Sequence, residues 1–192
     1  MNMVNSHFPT IFGALVIFAA GLVGPAGAAD EIDAAKVAVC SSCHGANGTP
    51  SDPKTIPIIW GQQTNFLVKQ LHDYRAGDRD NAIMAAMAKT LKQEDLRPAA
   101  VYFGSKPWPA HAAAAPAASA PANMAVCQVC HQQGFVGGAP APRLAGQSYE
   151  YLIKQMNDFA NGTRTNSMDM AKIMSELSQA DRETMAHYIA GL

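Results

Sequence analysis

The chain is 192 residues long, with 14 basic against 15 acidic side chains and a formal net charge of −1. Charged residues make up 15% of it and hydrophobic ones 48%, which is too apolar and too weakly charged for a disordered chain. It also lacks the surplus of Lys and Arg that a nucleic-acid-binding surface requires, so no nucleic-acid partner is expected.

Residues 1–29 contain no Lys, Arg, Asp or Glu. An apolar run from Ile11 to Val23 leads into the small-residue stretch Gly24-Pro25-Ala26-Gly27-Ala28-Ala29. This is the order of a secretory signal peptide, and the run is too short to span a bilayer comfortably. The segment before it carries only His7 and the amino terminus as basic groups, so an uncleaved anchor is the competing reading. Cleavage is expected near Ala28 or Ala29, which places the mature chain outside the cytoplasm. Disulfides are permitted there, and the cysteines need a reading that competes with disulfide pairing.

The mature chain reads as helical. Ile32, Ala35 and Val39 fit one face of a short helix entering Cys40-Ser41-Ser42-Cys43-His44. Phe66, Leu67, Leu71 and Tyr74 form the apolar stripe of a second helix, and Leu96, Ala99, Ala100 and Phe103 that of a later one. The pattern then returns. Cys127-Gln128-Val129-Cys130-His131 repeats the first motif at an offset of 87. Gly61-Gln62 returns as Gly146-Gln147, and Leu67-Val68-Lys69-Gln70-Leu71 as Leu152-Ile153-Lys154-Gln155-Met156, both at an offset of 85. Gly77 and Arg79 return as Gly162 and Arg164; Leu91, Asp95 and Tyr102 return as Leu177, Asp181 and Tyr188. An order-preserving match with small insertions is what a duplicated domain leaves behind, and two copies are too few for a solenoid.

In the second copy Tyr149, Leu152, Ile153, Met156 and Phe159 share a helical face, as do Met185, Tyr188, Ile189 and Leu192. Ser178 with Asp181 resembles a capping box at the start of that last helix. No stretch shows sustained period-two alternation. Between the copies, residues 109–122 hold nine Ala and three Pro, the composition of a semi-rigid linker. The expected division is therefore a leader at 1–29, a first domain at 30–104, a linker at 105–122 and a second domain at 123–192. Each lobe has only about 70 residues, so its own core is thin and calls for a staple.

The two Cys-x-x-Cys-His motifs consume all four cysteines. Two thiols one helical turn apart can bond the two vinyl groups of one haem, and the adjacent imidazole then serves as proximal ligand; this is the c-type attachment pattern. The candidate attachment residues are Cys40, Cys43, Cys127 and Cys130, with His44 and His131 on the irons. A disulfide within each pair would leave both histidines unexplained. A shared zinc site would need the pairs to meet across 83 intervening residues. For the second axial position the other histidines, His72, His111 and His187, do not repeat, whereas methionine does. Met84 and Met170 each stand seven residues before the matched Leu91 and Leu177. Met87, Met168 and Met174 lie close by, and methionine is also ordinary core filler.

These features resemble the cytochrome c₄ family of two-haem c-type cytochromes over nearly all of residues 30–192. The resemblance rests on the two Cys-x-x-Cys-His motifs and on Pro57-Ile58-Ile59-Trp60-Gly61-Gln62 matching Pro142-Arg143-Leu144-Ala145-Gly146-Gln147. It rests also on the Lys-Gln helices, the Gly-x-Arg turns and the paired methionines. It implies an all-α fold of two tandem cytochrome c-like domains, two covalent haem c groups with His/Met iron, and propionates near the domain interface. It further implies a periplasmic electron carrier in a respiratory chain rather than an enzyme. The partners would be redox proteins such as a terminal oxidase or a dehydrogenase, with peripheral membrane association. The alternative is the dihaem electron-accepting subunit of a flavin-linked or sulfur-oxidising dehydrogenase. Four propionates would make the loaded protein more acidic and favour basic partner surfaces.

The chain departs from the family where the second lobe begins. Only Asn123-Met124-Ala125-Val126 precedes Cys127, and Trp60 stands where the second lobe has Ala145. Smaller features carry paired readings. The carbonyls of Pro57 and Pro142 either accept from the proximal imidazoles or belong to prolines that merely shape loops. Arg79 and Arg164 either contact propionates or are solvated at the surface. Tyr74, Phe159, Tyr102 and Tyr188 read as pocket packing, and Gly45 and Gly48 as close-approach positions.

Overall fold

A computed structural model describes residues 32–110 and 119–192; the leader reading and linker residues 111–118 lie outside them. The first lobe contains α1 (Ala34–His44), α2 (Thr64–Ala76), α3 (Ala82–Thr90) and α4 (Leu96–Gly104). The second contains α5 (Met124–His131), α6 (Tyr149–Ala160), α7 (Met168–Glu176) and α8 (Gln179–Ala190). Among the described residues there is no strand, only an isolated bridge between Gly138 and Ala141. No described helix is long and apolar enough to cross a membrane.

Helix boundaries follow local chemistry. The Asp33 carboxylate accepts from the Ala35 N–H at 2.9 Å and starts α1. Ser178 and Asp181 form the expected reciprocal capping box at the start of α8. Gly77 takes the left-handed conformation after α2, and its N–H donates to the Asp73 carbonyl.

Two hydrophobic clusters form, one in each lobe. Val37, Leu67, Leu91, Leu96, Ala99, Ala100 and Phe103 make the first, with α2 lying on α3 and α4. The second centres on Met124, Phe135, Leu152, Met156, Phe159, Met174, Met185 and Ile189, with α6 lying on α7 and α8. The stripes expected on α2, α4 and α6 face these clusters. On α8 the stripe is shorter than expected, because Leu192 lies beyond the last turn and is exposed.

The face of α1 differs from the one expected. Ala35 and Val39 are exposed, and Val37 is 1% exposed. Val37, Cys40, Ser41 and His44 fall at i, i+3, i+4 and i+7, the spacing of one helical face. The second lobe repeats this with Met124, Cys127, Gln128 and His131, of which Met124 and His131 are buried. The Cys-His motif thus decides which side turns inward, overriding the apolar periodicity beside it.

Trp60 finds its explanation in a packing exchange. A Cβ on Gly48 would lie 2.9 Å from the Trp60 ring, so the missing side chain at Gly48 makes room for the indole. In the second lobe the residue matching Gly48 is Phe135, fully buried and edge-on to Tyr188, and the residue matching Trp60 is the small Ala145. One large ring serves each lobe, supplied from opposite ends of the same loop. Both Gly48 and Phe135 have positive φ, at 85° and 57°, so the backbone is alike and only the side chains are exchanged. We expect Phe135→Gly to destabilise the second lobe by about 3–5 kcal/mol. Adding Ala145→Trp should recover part of that loss in chemical denaturation. A double variant no more stable than Phe135→Gly alone would count against the exchange.

The start of the linker is anchored. Trp108 packs over Gly61, and the Arg143 guanidinium of the second lobe lies 4.6 Å from its ring centre.

Candidate functional site

α1 and α5 each end on the histidine of the Cys-His motif. His44 and His131 are 7% and 6% exposed, and burial holds both imidazoles below the usual histidine range. The Nδ1 of His44 lies 2.9 Å from the Pro57 carbonyl, and that of His131 lies 2.9 Å from the Pro142 carbonyl. A carbonyl can only accept, so Nδ1 carries the proton in each ring and Nε2 keeps its lone pair. The two prolines therefore orient the imidazoles; loop shaping alone does not describe them.

All four cysteines are free thiols. Cys43 and Cys130 are exposed and Cys40 and Cys127 partly buried, the burial pushing the latter two thiols up. Neither pair forms a disulfide. Among the described residues, no group of three or more His, Cys, Asp or Glu converges as a metal cluster, so the two motifs do not meet in a shared site.

Met84 and Met170 occupy the third position of α3 and α7 respectively. The Asn81 side-chain oxygen accepts from the Met84 N–H at 2.9 Å, and the Ser167 hydroxyl from the Met170 N–H at 3.4 Å. The same turn precedes both: a helix end, Gly-x-Arg, a capping side chain, then the methionine. Position by position along these two helices, this is where both lobes carry Met. Met174 matches Ala88, and both are buried in their cores; Met168 is 85% exposed.

Arg79 and Arg164 are not surface groups. They are 6% and 9% exposed and meet between the lobes. Arg79 donates to the Gln70 oxygen at 2.7 Å, the Gln155 oxygen at 2.7 Å and the Tyr151 hydroxyl at 3.0 Å. Arg164 donates to the same two glutamine oxygens at 3.0 and 2.8 Å. Each glutamine oxygen is thus shared by one guanidinium from each lobe. Tyr74 and Phe159, expected as pocket packing, lie beneath these charges at 4.8 and 4.3 Å from ring centre to guanidinium carbon.

Burial and the neighbouring Arg79 push Arg164 down to about 10. Asp73 and Asp158, which favour the charged forms of Arg79 and Arg164 respectively, are themselves paired with Lys69 and Lys154. Two like charges held so close, away from water, call for anionic partners. This arrangement fits the carboxylates of a porphyrin brought to the interface, and the thiol and imidazole sets fit its attachment.

In the sequence Gln70, Gln155, Gln62 and Gln147 stand out only as parts of the repeat. Their signal was available: buried polar residues in matching places of both copies need matching partners. Gln62 and Gln147 are 5% and 4% exposed, and each reaches the opposite lobe.

The family model for cytochrome c matches residues 117–192. Cytochrome c4 of Pseudomonas aeruginosa is 38% identical over 189 residues, covering 90% of this chain and 94% of that protein. The thiosulfate dehydrogenase electron acceptor of Stutzerimonas stutzeri is 31% identical, covering 80% and 78%. Among solved structures, reduced recombinant cytochrome c4 from Pseudomonas stutzeri is similar at a TM-score of 0.69 and 32% identity, covering 82% of this chain and 95% of that one.

Proposed function

Since the chain belongs to the cytochrome c4 family, we infer that it works as an exported two-haem electron carrier whose lobes, residues 30–104 and 123–192, each hold one iron between histidine and methionine. The carrying observation is the duplicated set of free Cys pair, carbonyl-oriented histidine and capped methionine. Cys40 and Cys43 would hold the first haem and Cys127 and Cys130 the second, with His44 and Met84, and His131 and Met170, as the residues that would bind the irons. When bound, each haem supplies one-electron exchange between ferrous and ferric iron.

The chain's own residues do the rest. The Pro57 and Pro142 carbonyls fix each ring and raise its donor strength. Arg79 and Arg164 hold propionate charge at the interface. A histidine and a methionine on each iron would leave no open position for a substrate, which supports a carrier over a catalyst. The leader directs the chain to the periplasm, where it meets its redox partners.

A second reading has a specific observation behind it. The similarity to a thiosulfate dehydrogenase electron acceptor supports service to a periplasmic dehydrogenase. Purification from the native periplasm, with intact mass and a pyridine haemochrome assay, tests both. We expect two haems per polypeptide, no residue before about Ala28, and no turnover of the isolated protein. Stoichiometric co-purification with a catalytic chain would favour the subunit reading; a retained Met1 would overturn cleavage.

A further inference from the structure

The lobes are joined by a second set of contacts. The Ile58 N–H donates to the Gln147 side-chain oxygen at 3.0 Å, and the Gln147 amide nitrogen donates to the Ile58 carbonyl at 3.0 Å. The mirror contact pairs Arg143 with Gln62: the Arg143 N–H donates to the Gln62 oxygen at 2.7 Å, and the Gln62 nitrogen donates to the Arg143 carbonyl at 2.9 Å. Each glutamine faces a backbone donor and a backbone acceptor, so its oxygen and nitrogen can be placed only one way.

The peptide involved is what matters. The N–H of Ile58 and the carbonyl of Pro57 belong to one peptide group, and that carbonyl accepts from His44. Likewise the N–H of Arg143 and the carbonyl of Pro142 share one group, and that carbonyl accepts from His131. Resonance links the two ends of a peptide, so an acceptor on the N–H makes the carbonyl oxygen more negative. A more negative carbonyl draws the Nδ1 proton harder and raises the electron density that Nε2 can offer a metal.

We propose that Gln62 and Gln147 are crossed positioning residues: Gln147 of the second lobe tunes the first lobe's iron through Pro57–Ile58 and His44, and Gln62 tunes the second lobe's iron through Pro142–Arg143 and His131. This rests on the reading of His44 and His131 as iron ligands. The interface thereby makes each haem's potential depend on contact with the other lobe.

The test uses the full-length, haem-loaded protein with Gln147→Leu, Gln62→Leu and the acceptor-retaining Gln147→Glu. The readouts are the imidazole Nδ1–H resonances of the reduced protein and the two midpoint potentials. Gln147→Leu should shift the His44 Nδ1–H upfield and raise the first lobe's potential, leaving His131 in place. Gln62→Leu should do the reverse, and Gln147→Glu should return the His44 signal to at least its parent position. Equal shifts of both histidines by either variant, as from a loosened interface, would overturn the crossed assignment. Shifts confined to the variant's own lobe, or none, would overturn it too. A parent protein without His/Met absorption bands would instead remove the ligand reading beneath it.

Discussion

Replacing Cys127 and Cys130 with serine is expected to leave one covalent haem per chain instead of two. The serine hydroxyl cannot form the thioether, and no other cysteine exists to substitute, since the chain has four in all. The first lobe keeps its own pair and its own core of Val37, Leu96, Ala100 and Phe103, so its haem should remain. The loss should extend beyond pigment. The second lobe has about 70 residues, a size at which a hydrophobic core alone is marginal. A haem anchored at α5 (Met124–His131) would tie that helix to α7 (Met168–Glu176), which carries Met170, and would add a large apolar body to the lobe's thin core. We expect intact mass to fall by one haem, and far-ultraviolet dichroism to show loss of helix in the second lobe. Two acid-stable haems persisting in the double variant would sink the attachment assignment.

The second large effect is electronic. Met84→Ala should leave both haems attached and remove about half of the near-infrared sulfur-to-iron absorption. The first lobe's potential should fall, because thioether ligation is what holds a His/Met iron high. Met170→Ala should remove the other half. The neighbouring methionines are the controls. Met168 is 85% exposed and Met174 sits in the core at 2%, so Met168→Ala should leave the band intact, and Met174→Ala should cost stability instead. A full band in Met84→Ala, or its loss in Met168→Ala, would reassign the sulfur ligand.

Much of this is legible in the sequence. The two Cys-x-x-Cys-His motifs, the repeat offsets and the stripe of Leu96, Ala99, Ala100 and Phe103 are periodic or local signals, and local signals survive in one dimension. The Ser178–Asp181 capping box is of the same kind: it needs only residues three apart. Ile32, Ala35 and Val39 point to a helix at α1 (Ala34–His44) without marking its inner face. The competing face, Val37-Cys40-Ser41-His44, is marked by the Cys-His motif rather than by hydrophobicity. Arg79 and Arg164 carried no sign of burial, since charge alone suggests solvent. Only the meeting of two lobes takes them out of water and pushes Arg164 down to about 10.

By itself, then, the sequence named the candidate chemistry: paired thiols, an adjacent imidazole and a later methionine sulfur, each set occurring twice. Those choices are written in spacing along a single helix or turn, within reach of one another in the chain. The tertiary structure alone decided how the copies address each other. Gln147 and Ile58 lie 89 residues apart, and Gln62 and Arg143 lie 81 apart. No local pattern can say that a glutamine in one lobe will bind the peptide that orients a histidine in the other. That pairing exists because two similar lobes pack face to face, so that each buried amide is satisfied by the other lobe's backbone as well as by the N–H that follows it in its own.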